Sequence, residues 1–200
     1  LGHSLNAMNA HFIAKVVVRP VACYLKRSIL IAAEFRLGFI YLLPLPSFML
    51  GVTLIHPRDL PKVRTALLQL RKPGQRRIHF SKENDRRRRQ VLSAINSLPV
   101  MSFVVQSDKD NEGQARAECL EKLIFQAAER KLHRIVIERD YSFEKADLRV
   151  IRSALSVSGL DTQIEYAHEN PHEEPALWIP DAVAWSFVKG GEWKARLKLP

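Results

Sequence analysis

The chain has 200 residues, 46% hydrophobic and 26% charged, the balance of a globular domain with a buried core. Its two cysteines, Cys23 and Cys119, are far apart and match neither a disulfide framework nor a metal-ligand spacing, so they read as small buried apolar residues, compatible with a reducing cytosol. The net charge of +10 is uneven: residues 1–100 carry 17 Lys and Arg against 4 Asp and Glu, and residues 101–200 carry 14 against 17. The stretch from Arg58 to Arg89 alone has 12 basic residues and 3 acidic ones, a stripe that fits either a polyanion or a solvated basic face.

In chain order, Phe12–Arg19 is β-branched and reads as a strand, while Tyr24–Ala33 fits strand or helix equally. Phe39–Ile55 has no charged residue, but Pro44 and Pro46 interrupt it, so strands around a Pro-rich turn explain it better than a membrane span, and no stable membrane insertion is expected. No signal-peptide plan is found in the first 45 residues. The expected organisation is an irregular N-terminal segment over 1–46 and a single α/β domain over 47–200. A strand over Phe48–His56 leads into a helix opened by Asp59 and Pro61, which runs to about Leu70. A basic turn, Lys72–Arg77, is followed by a short extended piece at Ile78–Phe80.

A helix over Glu83–Leu98 carries Arg86–Arg89, of which at most two face a common ligand because successive residues step round the axis. Then come a strand (Val100–Gln106), a long helix (Gln114–Arg130), a strand (Arg134–Glu138), a helix (Glu144–Ser156), a strand (Gln163–His168) and a last helix (Pro175–Lys189). Alternating strands and helices predict an α/β fold with a partly parallel sheet, whose sites gather at the carboxyl ends of strands.

The last helix holds the most informative residue. Asp181 is a lone carboxylate among Trp178, Ile179, Ala182, Val183 and Trp185, just after Pro180. It is either a helix-start charge favoured by the dipole or a group aimed into a site. Glu138 and Asp140 end a strand. With Asp181 they form a candidate ligand set for a hard divalent ion, Mg²⁺ or Mn²⁺, with Glu83 and Glu118 as weaker additions. His79 is a candidate phosphate contact or general acid/base, set against a hydrogen-bonded strand-end histidine. His168, His172, Glu173 and Glu174 read as a solvent-exposed polar loop, and Trp193 as a packing anchor after the Gly190-Gly191 turn. No G-x-S-x-G, Walker A, G-x-G-x-x-G or H-E-x-x-H motif is present.

The combination of Gly74-Gln-Arg-Arg-Ile-His-Phe80, Asp85-Arg-Arg-Arg-Arg89, Arg134-Ile-Val-Ile-Glu138 and Leu177-Trp-Ile-Pro-Asp-Ala-Val-Ala-Trp185 resembles a widespread bacterial domain-of-unknown-function family, over about residues 47–196. The resemblance implies a ribonuclease H-like mixed sheet flanked by helices, with carboxylates gathered for divalent metal. Asp181 matches that family's terminal-helix Asp. Glu138 matches the position at the end of the central strand, where Asp is more usual. An acid on the first strand is part of the same pattern, and Phe12–Arg19 contains none. Two expectations follow for a cytoplasmic protein. One is a metal-dependent nuclease with Asp181 and Glu138 as catalytic ligands, Asp140 as a further metal ligand, and Arg76, Arg77, His79 and Arg86 on phosphates. The other is an inactive scaffold of the same fold that binds nucleic acid or a protein through its basic half.

Overall fold

The computed structural model describes residues 12–20, 48–130, 132–160 and 163–199. The region expected to be ambiguous, Tyr24–Ala33, lies outside them, as do Cys23 and the Pro-rich turn. Among the described residues five strands form one sheet: β1 (Phe12–Pro20), β2 (Phe48–Ile55), β3 (Val100–Ser107), β4 (Leu132–Glu138) and β5 (Glu165–Glu169). Their order is β3-β2-β1-β4-β5. The pairs β1–β2 and β2–β3 are antiparallel, whereas β1–β4 and β4–β5 are parallel. A mixed sheet covered by helices is the α/β class expected from the alternation of strands and helices, and it is the flanked mixed sheet that the family resemblance implies. The central strand β1 lies within residues 1–46, so the sheet draws on both sides of the boundary expected at 47.

Among the described residues six α-helices accompany the sheet: α1 (Leu60–Gln69), α2 (Asp85–Ile95), α3 (Glu112–Glu129), α4 (Glu144–Val157), α5 (Trp178–Lys189) and α6 (Gly191–Ala195). Side chains alternate across a strand, so β1 and β2 feed two cores. Ala14, Val16, Leu50, Val52 and Leu54 pack with Ala115, Cys119, Leu123, Ile151 and Leu155 of α3 and α4. Ile13, Ile55 and Val136 pack on the other face with Val63, Leu67, Val91, Leu92 and the aromatic wall of α5. Burial pushes the Cys119 thiol up to about 12, which makes it a core residue, not a nucleophile. Among the described residues no helix is long and apolar enough to cross a membrane.

The first nine residues of α5, Trp178 to Ser186, are all buried, an apolar-all-round pattern that belongs inside a core. Pro180 fits the first turn because its missing N–H has no intrahelical acceptor there. At Gly190 and Gly191, φ is +68° and +51°, backbone that glycine adopts without strain. This turn folds Trp193 back to an edge-on contact with Trp185, ring centroids 5.5 Å apart. Trp193 is 6% exposed, the packing anchor expected of it.

Helix α5 approaches the sheet closely at Gly51. A Cβ there would overlap the carbonyl oxygen of Pro180 and lie 3.2 Å from Ala184 Cβ. A strand glycine at this point lets α5 lie directly on β2. Gly51→Ala is expected to destabilise the protein by about 1–3 kcal/mol, the usual cost of overpacking. Urea denaturation followed by tryptophan fluorescence measures this, and an unchanged midpoint would show that α5 has room to shift.

Candidate functional site

The parallel strands β4 and β5 end side by side, with the Arg139 N–H donating to the Glu169 carbonyl at 2.9 Å. Three segments meet this edge: the loop between α1 and α2 (residues 70–84), the loop between β5 and α5 (170–177), and the first turn of α5. Of the sequence-predicted site residues, Arg86 on α2 and the weaker candidate Glu118 on α3 lie elsewhere, and the others lie on these segments or at and just after the end of β4.

Asp181 lies in the first turn of α5 but does not cap it, since the N-cap Leu177 has no side-chain bond and the Asp181 carboxylate reaches elsewhere. Its Oδ2 accepts from the Phe80 N–H at 3.2 Å and is 3.6 Å from His79 Nδ1. Its Oδ1 is buried without a hydrogen-bond partner. The carboxylate therefore clasps a segment 101 residues away in sequence. Arg88 fastens the same segment from α2, donating to the Phe80 and Ser81 carbonyls at 3.1 and 2.8 Å and stacking 4.3 Å from the Trp185 ring centroid. Phe80 packs edge-on against Trp185 at 5.3 Å.

Glu138 is buried at the end of β4, and Arg77 Nη1 donates to its Oε1 at 3.0 Å. Arg77, expected on phosphate, is thus the ion-pair partner of a carboxylate expected on metal. Asp140 accepts from the Ser142 N–H at 3.0 Å, and its carbonyl receives the Phe143 and Glu144 N–H groups, so it shapes the turn into α4. Of the weaker candidates, Glu83 is held by Lys72 and Gln75, and Glu118 by Ser107 and Lys122. Among the described residues, no three His, Cys, Asp or Glu side chains are grouped as a metal ion requires.

Two residues of the supposed exposed loop are in fact core. His168 and Glu174 are 6% and 1% exposed. Glu174 takes Lys15 Nζ at 2.6 Å, Arg64 Nε at 3.1 Å and a second, shorter bond from Arg64 Nη2. Lys15 is itself 1% exposed in the middle of β1 and is 3.8 Å from Glu169. β1 therefore presents a cation, not an acid, to the face that carries Glu138 and α5. The register pairs Lys15 with Val136, two residues before Glu138 and on the same face. The sequence did not point to Lys15 or Arg64, and it placed Glu174 in an exposed loop. The available signal was a single lysine among Ile13, Ala14, Val16 and Val17 in an apolar strand, which must find a carboxylate.

Burial alone would raise the Glu174 pKa, but the hydrogen bonds from Arg64 and the charge of Lys15 hold it down to about 2. For Lys15, burial lowers the pKa and the charge of Glu174 opposes the loss.

The remaining basic residues divide by what they touch. Arg89 pairs with Glu192 at 3.0 Å and lies 5.4 Å from the Trp193 ring centroid. Arg86 and Arg76 are exposed, and their guanidinium groups have no partner among the described residues. Arg71 and Arg76 line an open cleft with Asn170, His172 and Glu173. Of the four residues expected on phosphate, the structure leaves Arg76 and Arg86 free, ties Arg77 to Glu138, and keeps His79 half-buried beside Asp181.

No protein-family model matches the chain, and no curated protein matches it. Matching solved structures include a chain of the PCNA:RNase HII complex from Archaeoglobus fulgidus, at 13% identity and a TM-score of 0.49, covering 93% of this chain and 75% of that one.

The depressed pKa of Glu174 sets a pH window. Its folded value, about 2, is below the ordinary 4.5, so its contribution to stability is complete above about pH 4.5 and is lost as the pH falls toward 2. Lys15→Met removes one partner and is expected to cost a few kcal/mol near neutral pH, since a buried carboxylate left short of its counter-charge is the expensive state. Thermal melts of both proteins from pH 7 to pH 2.5 test this. A wild-type melting temperature that does not fall below pH 4.5 would contradict the assignment.

Proposed function

We propose that this protein is a ribonuclease H-like scaffold that binds the phosphate backbone of nucleic acid through the exposed arginines of the α1–α2 region, without metal-dependent cleavage. The observation that carries this reading is the state of the carboxylates. Glu138 is neutralised by Arg77 and Glu174 by Lys15 and Arg64, while Arg71, Arg76 and Arg86 face outward. A two-metal clamp needs several unneutralised acids around one cavity. The described donor set does not fit it: the one acid of the expected set with a free, buried oxygen is Asp181. That orphaned Oδ1 is the observation that favours the nuclease reading, in which Asp181 and Glu138 hold Mg²⁺ or Mn²⁺ as catalytic ligands. Against it, a dication would have to displace Arg77 from Glu138 and tolerate the Lys15 ammonium on the same face.

The chemistry of the basic surface suits a polyanion. Guanidinium groups present a planar fork of donors that matches phosphate oxygens. Neutralising three phosphates through Arg71, Arg76 and Arg86 releases the counterions they held, so the slope of log K against log salt is expected near −0.9 per contact, about −2.7 in all for duplex DNA.

Two measurements test the reading together. Calorimetric titration of Mn²⁺ is expected to give no binding heat with either the wild type or Asp181→Ala, while oligonucleotide anisotropy gives salt-dependent binding that Arg71→Ala/Arg76→Ala weakens. Mn²⁺ binding that disappears in Asp181→Ala would establish the nuclease reading instead. Retained oligonucleotide affinity in the double variant would move the interface off this cleft.

A further inference from the structure

The edge that carries the arginine cleft also carries an exposed aromatic ring that the phosphate contacts do not use. Tyr141 is 77% exposed, among the most exposed of the large hydrophobic side chains. It stands in the turn between β4 and α4, three residues beyond Glu138. The Arg139 guanidinium lies 5.8 Å from its ring centroid on one side. That guanidinium is fixed in turn by a 2.7 Å bond to the His168 carbonyl and a 3.4 Å ion pair with Glu144. The ring thus has a supported face and an open one.

Its place in the fold supplies the use. Arg139 hydrogen-bonds across to the end of β5, and the residues that follow β5, Asn170 and His172, line the cleft with Arg71 and Arg76. Glu173 is in the same cleft, its carboxylate accepting from Asn170 at 3.2 Å. The exposed guanidinium groups of Arg76 and of Arg71, which gives one donor to the Arg76 carbonyl at 3.5 Å, therefore lie at the same strand ends as an open aromatic face. A phosphate backbone is recognised by the first. The second recognises an unpaired base, because any base offers a π-face while a base inside a duplex has both faces covered by its neighbours.

Resting on the phosphate-binding reading above, we propose that Tyr141 is a base-stacking platform that makes this edge selective for single-stranded nucleic acid over duplex. The contact is to the base plane, so preference among base sequences is weak and the discrimination is between unpaired and paired strands.

The test uses the full chain, a labelled single-stranded 12-mer RNA, the same sequence as a blunt duplex, and inorganic polyphosphate as a competitor without bases. Tyr141→Ala is expected to bind the single strand about tenfold more weakly, within the range found on removing one stacking aromatic. Its affinity for polyphosphate stays at the wild-type level, and Tyr141→Trp, which keeps an aromatic face, retains single-strand binding. The side chain is solvated, so neither variant threatens the fold, and matched melting temperatures confirm that. Wild-type binding to the single strand and polyphosphate, with Tyr141→Ala indistinguishable on the single strand, overturns the stacking proposal and leaves the phosphate reading intact. Equal wild-type affinity for single strand and duplex overturns it in the same way. A wild type that binds none of the three ligands removes both.

Discussion

The buried ammonium of Lys15 is the constraint around which this face of the molecule is built. A lysine in the middle of a central strand cannot stay charged without a carboxylate against it, and the nearest supply is the chain that leaves β5. Glu174 is therefore drawn under the sheet edge, where its Oε1 also accepts the Ala176 N–H at 3.0 Å and starts the turn into α5. That placement fixes where α5 begins, hence where Pro180 meets Gly51 and where Asp181 meets Phe80. Arg64 brings α1 to the same carboxylate. One ion cluster thus ties three elements that share little sequence proximity, and the specificity of such a cluster matters more than its net energy, because desolvation offsets much of the Coulomb gain.

The opposite face repeats the device with different residues. Arg116 of α3 grips Asp147 of α4 through two bonds of 2.6 and 2.7 Å, and His168 of β5 joins them at 3.1 Å. Burial alone would raise the Asp147 pKa, but Arg116 and His168 hold it below the ordinary value. β5 is short and poor in apolar side chains, its five residues being Glu165, Tyr166, Ala167, His168 and Glu169. Charge compensates for that shortage: His168 anchors it to the α3–α4 layer, while Glu169 meets Lys15 and Arg134 on the other side. An edge strand held this way is specified by its partners rather than by hydrophobic burial.

This explains what the sequence made legible. β-branched runs such as Val16-Val17-Val18 and the helical spacing of Val63 and Leu67 announce strand and helix locally, and the element order carries the fold class. Asp181 could be placed in the first turn of α5 from Pro180 alone. Its role could not, because the acceptor role depends on Phe80, which the fold brings from another helix–helix loop. Glu174 reads as exposed beside His172 and Glu173, since nothing within the loop reveals a lysine 159 residues earlier. Arg88 and Arg89 could not be told apart from the rest of the Arg86–Arg89 run for the same reason: Trp185 and Trp193, which they cover, come from the other end of the chain. Local pattern reports periodicity, whereas ion pairs and clasps are set by topology.

The division of labour among the charges gives the surface its character. Acids on the α5 face are mostly matched by cations from within the protein, Glu138 by Arg77, Glu174 by Lys15 and Arg64, Glu83 by Lys72. Matched acids contribute little field beyond their partners, so an approaching ion senses chiefly what remains unmatched. What remains exposed around the α1–α2 loop is chiefly basic: Arg71, Arg76 and Lys82. A cation arriving there would have to break an existing ion pair before making a new contact. A phosphate meets exposed guanidinium groups that are in no ion pair, and its approach displaces water and counterions. With a lysine on β1 and most acids of this face paired within the protein, the unmatched charge here is chiefly that of the exposed basic side chains.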